Sequence, residues 1–214
     1  MHPGSVCSQI VPNKTKKKWL KEFVADPYVR AAKKIGYRSR AAFKLIEIDE
    51  HLGFIRNARN ILDIGSAPGS WTQVILERAK KKPKLLAIDL ITMEPLDGAH
   101  FIEGDIRAED TMKKISSYFK NEKIDLILSD MSPNISGIRE VDSIRVMELG
   151  ELVLEFSIDN LSDKGNLALK TFQGKGFTQL IEKFKKVYKN LAVKKPMSSR
   201  SDSSEIYVVA RDFK

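Results

Sequence analysis

From residue 60 onward, short apolar runs alternate with stretches of helical periodicity, and this alternation limits the possible fold more tightly than anything else in the chain. Seven runs bounded by polar turns read as buried strands: Asn60–Ile64, Leu85–Leu90, Phe101–Ile102, Ile124–Ser129, Asn166–Thr171, Leu191–Val193 and Glu205–Ala210. Between them, Trp71, Val74, Ile75 and Ala79 share one face of a helical repeat. So do Val146, Leu149, Val153 and Phe156, and again Phe177, Leu180, Ile181 and Phe184. Short strands separated by helices imply crossover units, hence an α/β fold whose mostly parallel sheet is covered by helices on both faces. The last two strands are joined by the polar loop Ser198–Ser204 without a helix, so they read as a hairpin that ends the sheet with one antiparallel strand. A further helix precedes the first strand, with Ser39 as its N-cap, an apolar series from Ala41 to Ile46, and Gly53 just past its end.

The rest of the composition fits that fold. A chain of 214 residues that is 42% hydrophobic can bury an ordinary core and is too apolar to stay disordered. No uninterrupted apolar run approaches the ~18–20 residues of a membrane span. The single cysteine, Cys7, excludes an internal disulfide and a Cys-rich zinc site, and no metal is expected. No basic start followed by an apolar stretch and a small-residue cleavage site is visible, so the reading is a cytoplasmic protein without membrane contact, a monomer by default.

Its charge is uneven. Residues 1–60 hold 13 Lys and Arg against 5 Asp and Glu, almost all of the net +9. The excess lies in Lys14, Lys16, Lys17, Lys18 and Lys21, then Arg30, Lys33, Lys34, Arg38 and Arg40, with Trp19, Tyr28 and Tyr37 among them. Basic clusters interleaved with aromatics are a phosphate-backbone footprint, because each neutralised phosphate releases counterions. Lys16, Lys17, Lys18, Lys33, Lys34, Arg38 and Arg40 are therefore the candidate nucleic-acid-binding residues. A solvated basic tail, a transit peptide and a membrane-surface helix are the competing readings. Residues 1–36 form a basic extension in this reading, and 37–214 the α/β domain.

The first strand runs into Asp63-Ile64-Gly65-Ser66-Ala67-Pro68-Gly69-Ser70-Trp71. A glycine turn between the first strand and first helix of such a sheet is where these folds bind nucleotides. A dinucleotide is disfavoured: the glycine pair that admits a pyrophosphate is missing, Pro68 removes an N–H, and Asp63 favours a cationic ligand. Asp89 ends the second strand, placed to grip ribose hydroxyls, and Asp105 follows the third, able to accept from an adenine amino group. An adenosine carrying a positive centre is S-adenosylmethionine.

The fourth strand delivers Asp130 and the fifth Lys170, so both project into one cleft. Glu205 opens the last strand and Lys44 lies on the helix before the sheet. A lysine at the end of a buried strand is expensive unless paired or used. Asp130 with Lys170 can be a simple ion pair; their position beside the donor turn argues for chemistry.

These stretches resemble the FtsJ/RrmJ family of ribosomal RNA 2′-O-ribose methyltransferases, of the large-subunit methyltransferase E type. The similarity runs from about Trp19 to the C-terminus. It is carried by Asp26-Pro27-Tyr28-Val29, the segment Gly36–Leu45, the Gly65–Trp71 turn, Ser129–Asn134, Lys170–Gly174, and Ser198-Ser199-Arg200 leading to Glu205. The resemblance implies a Rossmann-like, class I S-adenosylmethionine-dependent fold with a seven-stranded sheet. It also implies a catalytic tetrad of Lys44, Asp130, Lys170 and Glu205. Donor contacts fall at Gly65, Pro68, Gly69, Trp71, Asp89, Asp105 and Asp130. Ser70 stands where many members have a second glycine. The implied substrate is a uridine ribose of large-subunit rRNA on the ribosomal subunit, with organellar rRNA or a tRNA anticodon loop as alternatives. A non-catalytic RNA- or ribosome-binding protein on a retired methyltransferase fold is a reading from another class, and a nicotinamide-dependent oxidoreductase a third. Lys170 is expected to act as base or to stabilise the developing alkoxide.

Overall fold

Seven strands form one sheet in the order β3-β2-β1-β4-β5-β7-β6 in the computed structural model, which describes residues 26–134 and 136–214. In chain order the elements are α1 (Pro27–Ile35), α2 (Ala41–Leu52), β1 (Asn60–Ile64), α3 (Ser70–Arg78), β2 (Lys84–Asp89), β3 (Ala99–Glu103) and α4 (Glu109–Phe119). Then follow β4 (Ile124–Ser129), α5 (Arg139–Asn160), β5 (Leu161–Phe172), α6 (Phe177–Val187), β6 (Tyr188–Lys194) and β7 (Glu205–Phe213). The lysine run at 14–21 lies outside the described residues.

Strands β1 to β5 are parallel, and β7 runs antiparallel to both of its neighbours, β5 and β6. The expected hairpin therefore forms, with one correction: β7 is inserted between β5 and β6 and does not end the sheet. Burial explains the order. Ile206 to Ala210 are all buried and need a strand on each side, whereas β6 is buried only at Tyr188 and tolerates the edge.

Side chains alternate across the sheet, as the two-residue period of a strand requires. Ile61, Leu85, Leu126, Leu128, Ala168, Tyr207 and Val209 pack under Ala42, Leu45 and Ile48 of α2 and Trp71, Val74 and Ile75 of α3. Leu62, Leu86, Ile127, Leu167, Leu169 and Val208 face Phe119 of α4, Val153 and Phe156 of α5, and Leu180 and Phe184 of α6.

Several boundaries differ from the pattern reading. Strand β5 begins at Leu161 rather than Asn166, directly after α5. Its register shifts opposite Ile124–Leu126 and Lys164 takes φ 62°, so Ser162–Gly165, a turn by composition, is the irregular start of a strand. Ala79 is the C-cap of α3 rather than part of its face. Arg40 is the N-cap of α2, although the Ser39 hydroxyl still accepts the Ala41 N–H at 3.2 Å. Helix α1 is capped by Asp26, which accepts the Tyr28 N–H at 2.9 Å, and it buries Val29 and Ala32. No described helix is long and apolar enough to cross a membrane.

Candidate active site

At the carboxyl edge of β1 the chain enters a turn that only glycine can start. Gly65 has φ 73°, and a Cβ there would lie 2.6 Å from Met131 Cγ and 2.9 Å from the Met131 backbone nitrogen. The Gly65 and Ser66 N–H groups both donate to the Ile88 carbonyl, at 2.8 and 3.1 Å, which ties the turn to β2. Pro68 leads into Gly69, at φ 106°, the N-cap of α3. The N–H groups of Ser70, Trp71 and Thr72 have no backbone acceptor among the described residues, so α3 presents an open, partly positive N-terminus.

Asp89 holds this turn from one side. Its Oδ2 accepts the Ala67 N–H at 2.8 Å and its Oδ1 the Ile91 N–H at 3.0 Å, which leaves further lone pairs for hydroxyl donors. Asp105 is gripped by Arg107 at 2.5–3.1 Å, and that hydrogen bonding holds its carboxyl below the usual range against the effect of burial. Asp63 lies beneath the turn, fully buried. Its Oδ2 accepts the Thr72 hydroxyl at 2.7 Å, while Oδ1 has no partner among the described residues. Burial, opposed by Thr72 and reinforced by Asp130 and Asp89, pushes its carboxyl up to about 7.

Trp71, expected among the donor contacts, stands in the first turn of α3. The indole is buried, donates through Nε1 to the Ala41 carbonyl at 2.9 Å and packs on Tyr207 with ring centroids 5.7 Å apart. Its backbone N–H is one of the three at the start of α3 without a backbone acceptor among the described residues.

The four residues of the expected tetrad converge beside this turn, and the register explains how. Ser129 of β4 pairs with Leu169, so Asp130 and Lys170 are the next residues on adjacent strands. Tyr207 lies opposite Lys170, and Glu205 opposite Phe172, because β7 runs the other way. Lys170 Nζ donates to the Asp130 carbonyl at 2.5 Å and stands 3.2 Å from Asp130 Oδ1. Lys44 Nζ lies 2.7 and 2.9 Å from the two oxygens of Glu205. Burial alone would raise the Glu205 carboxyl, but Lys44, Ser199 and Lys170 together draw it below its ordinary value.

Two members of this cluster escaped the sequence reading. Tyr207 donates its hydroxyl to Asp130 Oδ1 at 2.9 Å and carries Lys44 Nζ 5.9 Å from its ring centre, so it joins the two ion pairs. Burial first, then the charges of Asp130 and Glu205, push its hydroxyl well above the ordinary phenol value. Its position two residues after Glu205 on one strand was the available signal, since such residues share a face. The other is Ser199, whose hydroxyl donates to Glu205 at 2.8 Å.

The expected RNA-binding residues divide. Lys33 and Lys34 are exposed on α1, and Lys16, Lys17 and Lys18 lie outside the described residues. Arg38 and Arg40 instead bond inward. Arg38 donates to the carbonyls of Pro68, Glu94 and Pro95, and Arg40 to the Asp26 carboxylate and the Ser198 carbonyl. Burial, with Arg200 nearby, lowers the pKa of Arg40 from its ordinary value. A separate concavity of about 690 Å³, beside His100, Glu103, Lys113 and Tyr118, shares none of these residues. No cluster of three metal-ligating side chains occurs among the described residues.

An open helix N-terminus, a carboxylate fixed at the end of β2 and a buried acid with an unpartnered oxygen suit a ligand with its own carboxylate, a ribose and a cationic centre. Comparison with known proteins agrees. The model of the FtsJ-like methyltransferase family matches residues 37–213. Ribosomal RNA large subunit methyltransferase E of Bordetella pertussis is 42% identical over 207 residues, covering 94% of this chain and 99% of that protein. Its counterpart in Nitrosospira multiformis is 43% identical over 196 residues, covering 92% and 95%. Among solved structures, a Plasmodium falciparum protein provisionally named a ribosomal RNA methyltransferase superposes with TM-score 0.76 at 35% identity, over 83% of this chain and 98% of that one. The N-methyltransferase NodS from Bradyrhizobium japonicum, solved with S-adenosylhomocysteine, shares the fold at 14% identity and TM-score 0.53, over 89% and 90% of the two chains. With the Lys-Asp-Lys-Glu cluster standing beside the glycine turn, the chain belongs to the FtsJ-like methyltransferase family.

Proposed function

We propose that this protein methylates the 2′-hydroxyl of a uridine ribose in large-subunit rRNA, using S-adenosylmethionine and acting on the ribosomal subunit as a cytoplasmic monomer. The observation that carries the reading is the pairing of Lys170 with Asp130 and of Lys44 with Glu205, side by side next to the donor turn. S-adenosylmethionine supplies, when bound, an electrophilic methyl group on a sulfonium centre. The first-turn N–H groups of α3 would hold its carboxylate, Asp89 its ribose hydroxyls and Asp105 its adenine amino group. Arg107 is largely exposed and Asp105 about one-third exposed at 31%, and a carboxylate with several lone pairs can accept that further donor beside the guanidinium.

Lys170 is the group assigned to the attacking oxygen. One hydrogen bond to the Asp130 carbonyl and the ion pair with its carboxylate fix Nζ, and a lysine has a further position for a substrate hydroxyl. From there it takes the hydroxyl proton or stabilises the alkoxide as it develops. Lys44, held by Glu205, supports the opposite side, and Tyr207 keeps Asp130 in place. Fixing nucleophile and methyl at near-attack geometry lowers the barrier further. The exposed Lys33 and Lys34, with Lys16, Lys17 and Lys18, are proposed to contact rRNA phosphates.

The test is methyl transfer to undermethylated large ribosomal subunits, with the modified nucleotide located by mass spectrometry of rRNA and tRNA digests. Lys170→Ala should lower turnover by roughly 10²–10⁴-fold while S-adenosylhomocysteine still binds. Near-normal turnover in that variant ends the proposed role, and a ribose methyl found on tRNA anticodon loops instead ends the proposed substrate.

A further inference from the structure

Arg38 belongs to the basic segment read from sequence as an RNA footprint, yet its guanidinium is spent elsewhere. Its Nη1 donates to the carbonyls of Pro68 and Glu94 at 2.8 and 2.7 Å, and its Nη2 to that of Pro95 at 2.9 Å. Pro68 lies in the glycine turn, and Glu94 and Pro95 in the loop that follows β2. These are the two segments that Asp89 already joins by accepting the N–H groups of Ala67 and Ile91. The donor turn and the next loop are thus fastened twice, by an anion on their N–H groups and by a cation on their carbonyls.

The approach is close. A Cβ at Gly69 would lie 2.7 Å from Arg38 Nη1 and 2.8 Å from Met93 Sδ, so this glycine leaves room for the guanidinium. Arg38 is itself anchored to α3. Its backbone N–H donates to Gln73 Oε1 at 2.9 Å, Gln73 Nε2 donates to the Gly36 carbonyl at 3.0 Å, and the Tyr37 hydroxyl donates to Glu77 at 2.5 Å. Three carbonyls in one fork call for the planar, multi-donor guanidinium, which a lysine ammonium does not reproduce.

We propose that Arg38 is a positioning residue of the donor site: it clamps the glycine turn to the loop after β2, and so sets the affinity for S-adenosylmethionine rather than for RNA. The inference rests on the donor reading above. Arg38→Gln and Arg38→Lys are to be compared with the unaltered protein by titration calorimetry with S-adenosylhomocysteine, by binding to undermethylated large ribosomal subunits at several salt concentrations, and by steady-state kinetics. In Arg38→Gln the product Kd and the donor KM should rise about tenfold, equivalent to about 1.4 kcal/mol. Turnover at saturating donor should stay within about twofold, and subunit affinity and its salt slope should not change. Arg38→Lys should fall between the two. Amide exchange in donor-free protein should quicken at residues 65–70 and 91–97 while β5 and β7 keep their protection, which separates a local clamp from general loss of structure. If product binding is unaltered while subunit affinity falls and the salt slope drops by about one unit, Arg38 is a phosphate contact and the proposal fails. Quickened exchange throughout the sheet overturns it as well, and Arg38→Lys, the milder change, gives the same readouts should Arg38→Gln not fold. Failure of the unaltered protein to bind the product would instead defeat the donor reading itself.

Discussion

Replacing Tyr207 by phenylalanine removes one oxygen from the middle of the Lys-Asp-Lys-Glu cluster and almost nothing else. The ring is fully buried, so its packing on Trp71 and its place beneath Lys44 survive the change. What disappears is the hydrogen bond to Asp130 Oδ1, after which that oxygen keeps only Lys170, 3.2 Å away. A hydrogen bond to a charged group contributes about 1.5–3 kcal/mol net, and the remaining lysine argues for the lower end, ~1.5 kcal/mol. Urea unfolding should show that loss as a lower midpoint with an unchanged slope. Turnover should fall about tenfold, because Asp130 can then rotate and carry Lys170 with it, while product binding changes less. Tyr188→Phe is the matched control. Its buried hydroxyl donates to Ser157 at 2.7 Å, far from the cluster, so stability should drop by about 1 kcal/mol with turnover intact. If Tyr207→Phe keeps both its stability and its turnover within twofold, the hydroxyl does not hold Asp130 and the reasoning is wrong.

Two further outcomes are expected. Asp63 has its carboxyl raised to about 7, so its contribution to stability is complete below an ordinary carboxylate pKa near 4 and is lost as pH rises through about 7. Asp63→Asn should flatten that decline in urea midpoints measured from pH 5 to 8.5, and an unchanged decline would mean that the group does not titrate there. Converting Lys16, Lys17 and Lys18 to glutamine should weaken binding to large ribosomal subunits and reduce the salt slope by roughly one unit per lost phosphate contact. Equal affinity and slope would remove the lysine run from the footprint.

What could be read from the sequence was what local pattern specifies. Strands β1 and β4 fall on Asn60–Ile64 and Ile124–Ser129 because both are short, mostly apolar segments bounded by polar turns and lie in the buried middle of the sheet. Strand β3 and the first half of β5 were harder, since β3 buries only Ile102 and Ser162–Gly165 has the composition of a turn. The convergence of Asp130 with Lys170 was legible from consecutive crossover strands. The inward bonding of Arg38 and Arg40 was not. Nothing in a run of basic residues distinguishes a guanidinium aimed at phosphate from one aimed at the backbone carbonyls of Pro68 and Pro95, contacts 30 and 57 residues away. Trp71 shows a related division: a residue at the first turn of a helix can serve a ligand through its N–H while its side chain serves the core.

The tetrad depends on the reversal of one strand. In a parallel sheet every strand brings its C-terminal residues to the catalytic edge, so an inserted parallel β7 would present Phe213 there and leave Glu205 roughly 27 Å away, at the far end of eight residue steps. Running β7 the other way puts its first residue beside the last residues of β5 and next to Lys44. The loop entering β7 must then stay at the same edge, and α2 with its N-cap keeps it there. Glu47 accepts the N–H groups of Met197 and Ser198 at 2.6 and 3.0 Å, Arg40 donates to the Ser198 carbonyl, and Ser199 holds Glu205. One short stretch, Arg40 to Glu47, thus supplies Lys44, the lysine paired with Glu205, together with the two residues that fix the approach of its partner. That is why the arginine read as a contact for RNA is needed inside the protein: a guanidinium turned outward at position 40 would release the loop that delivers Glu205.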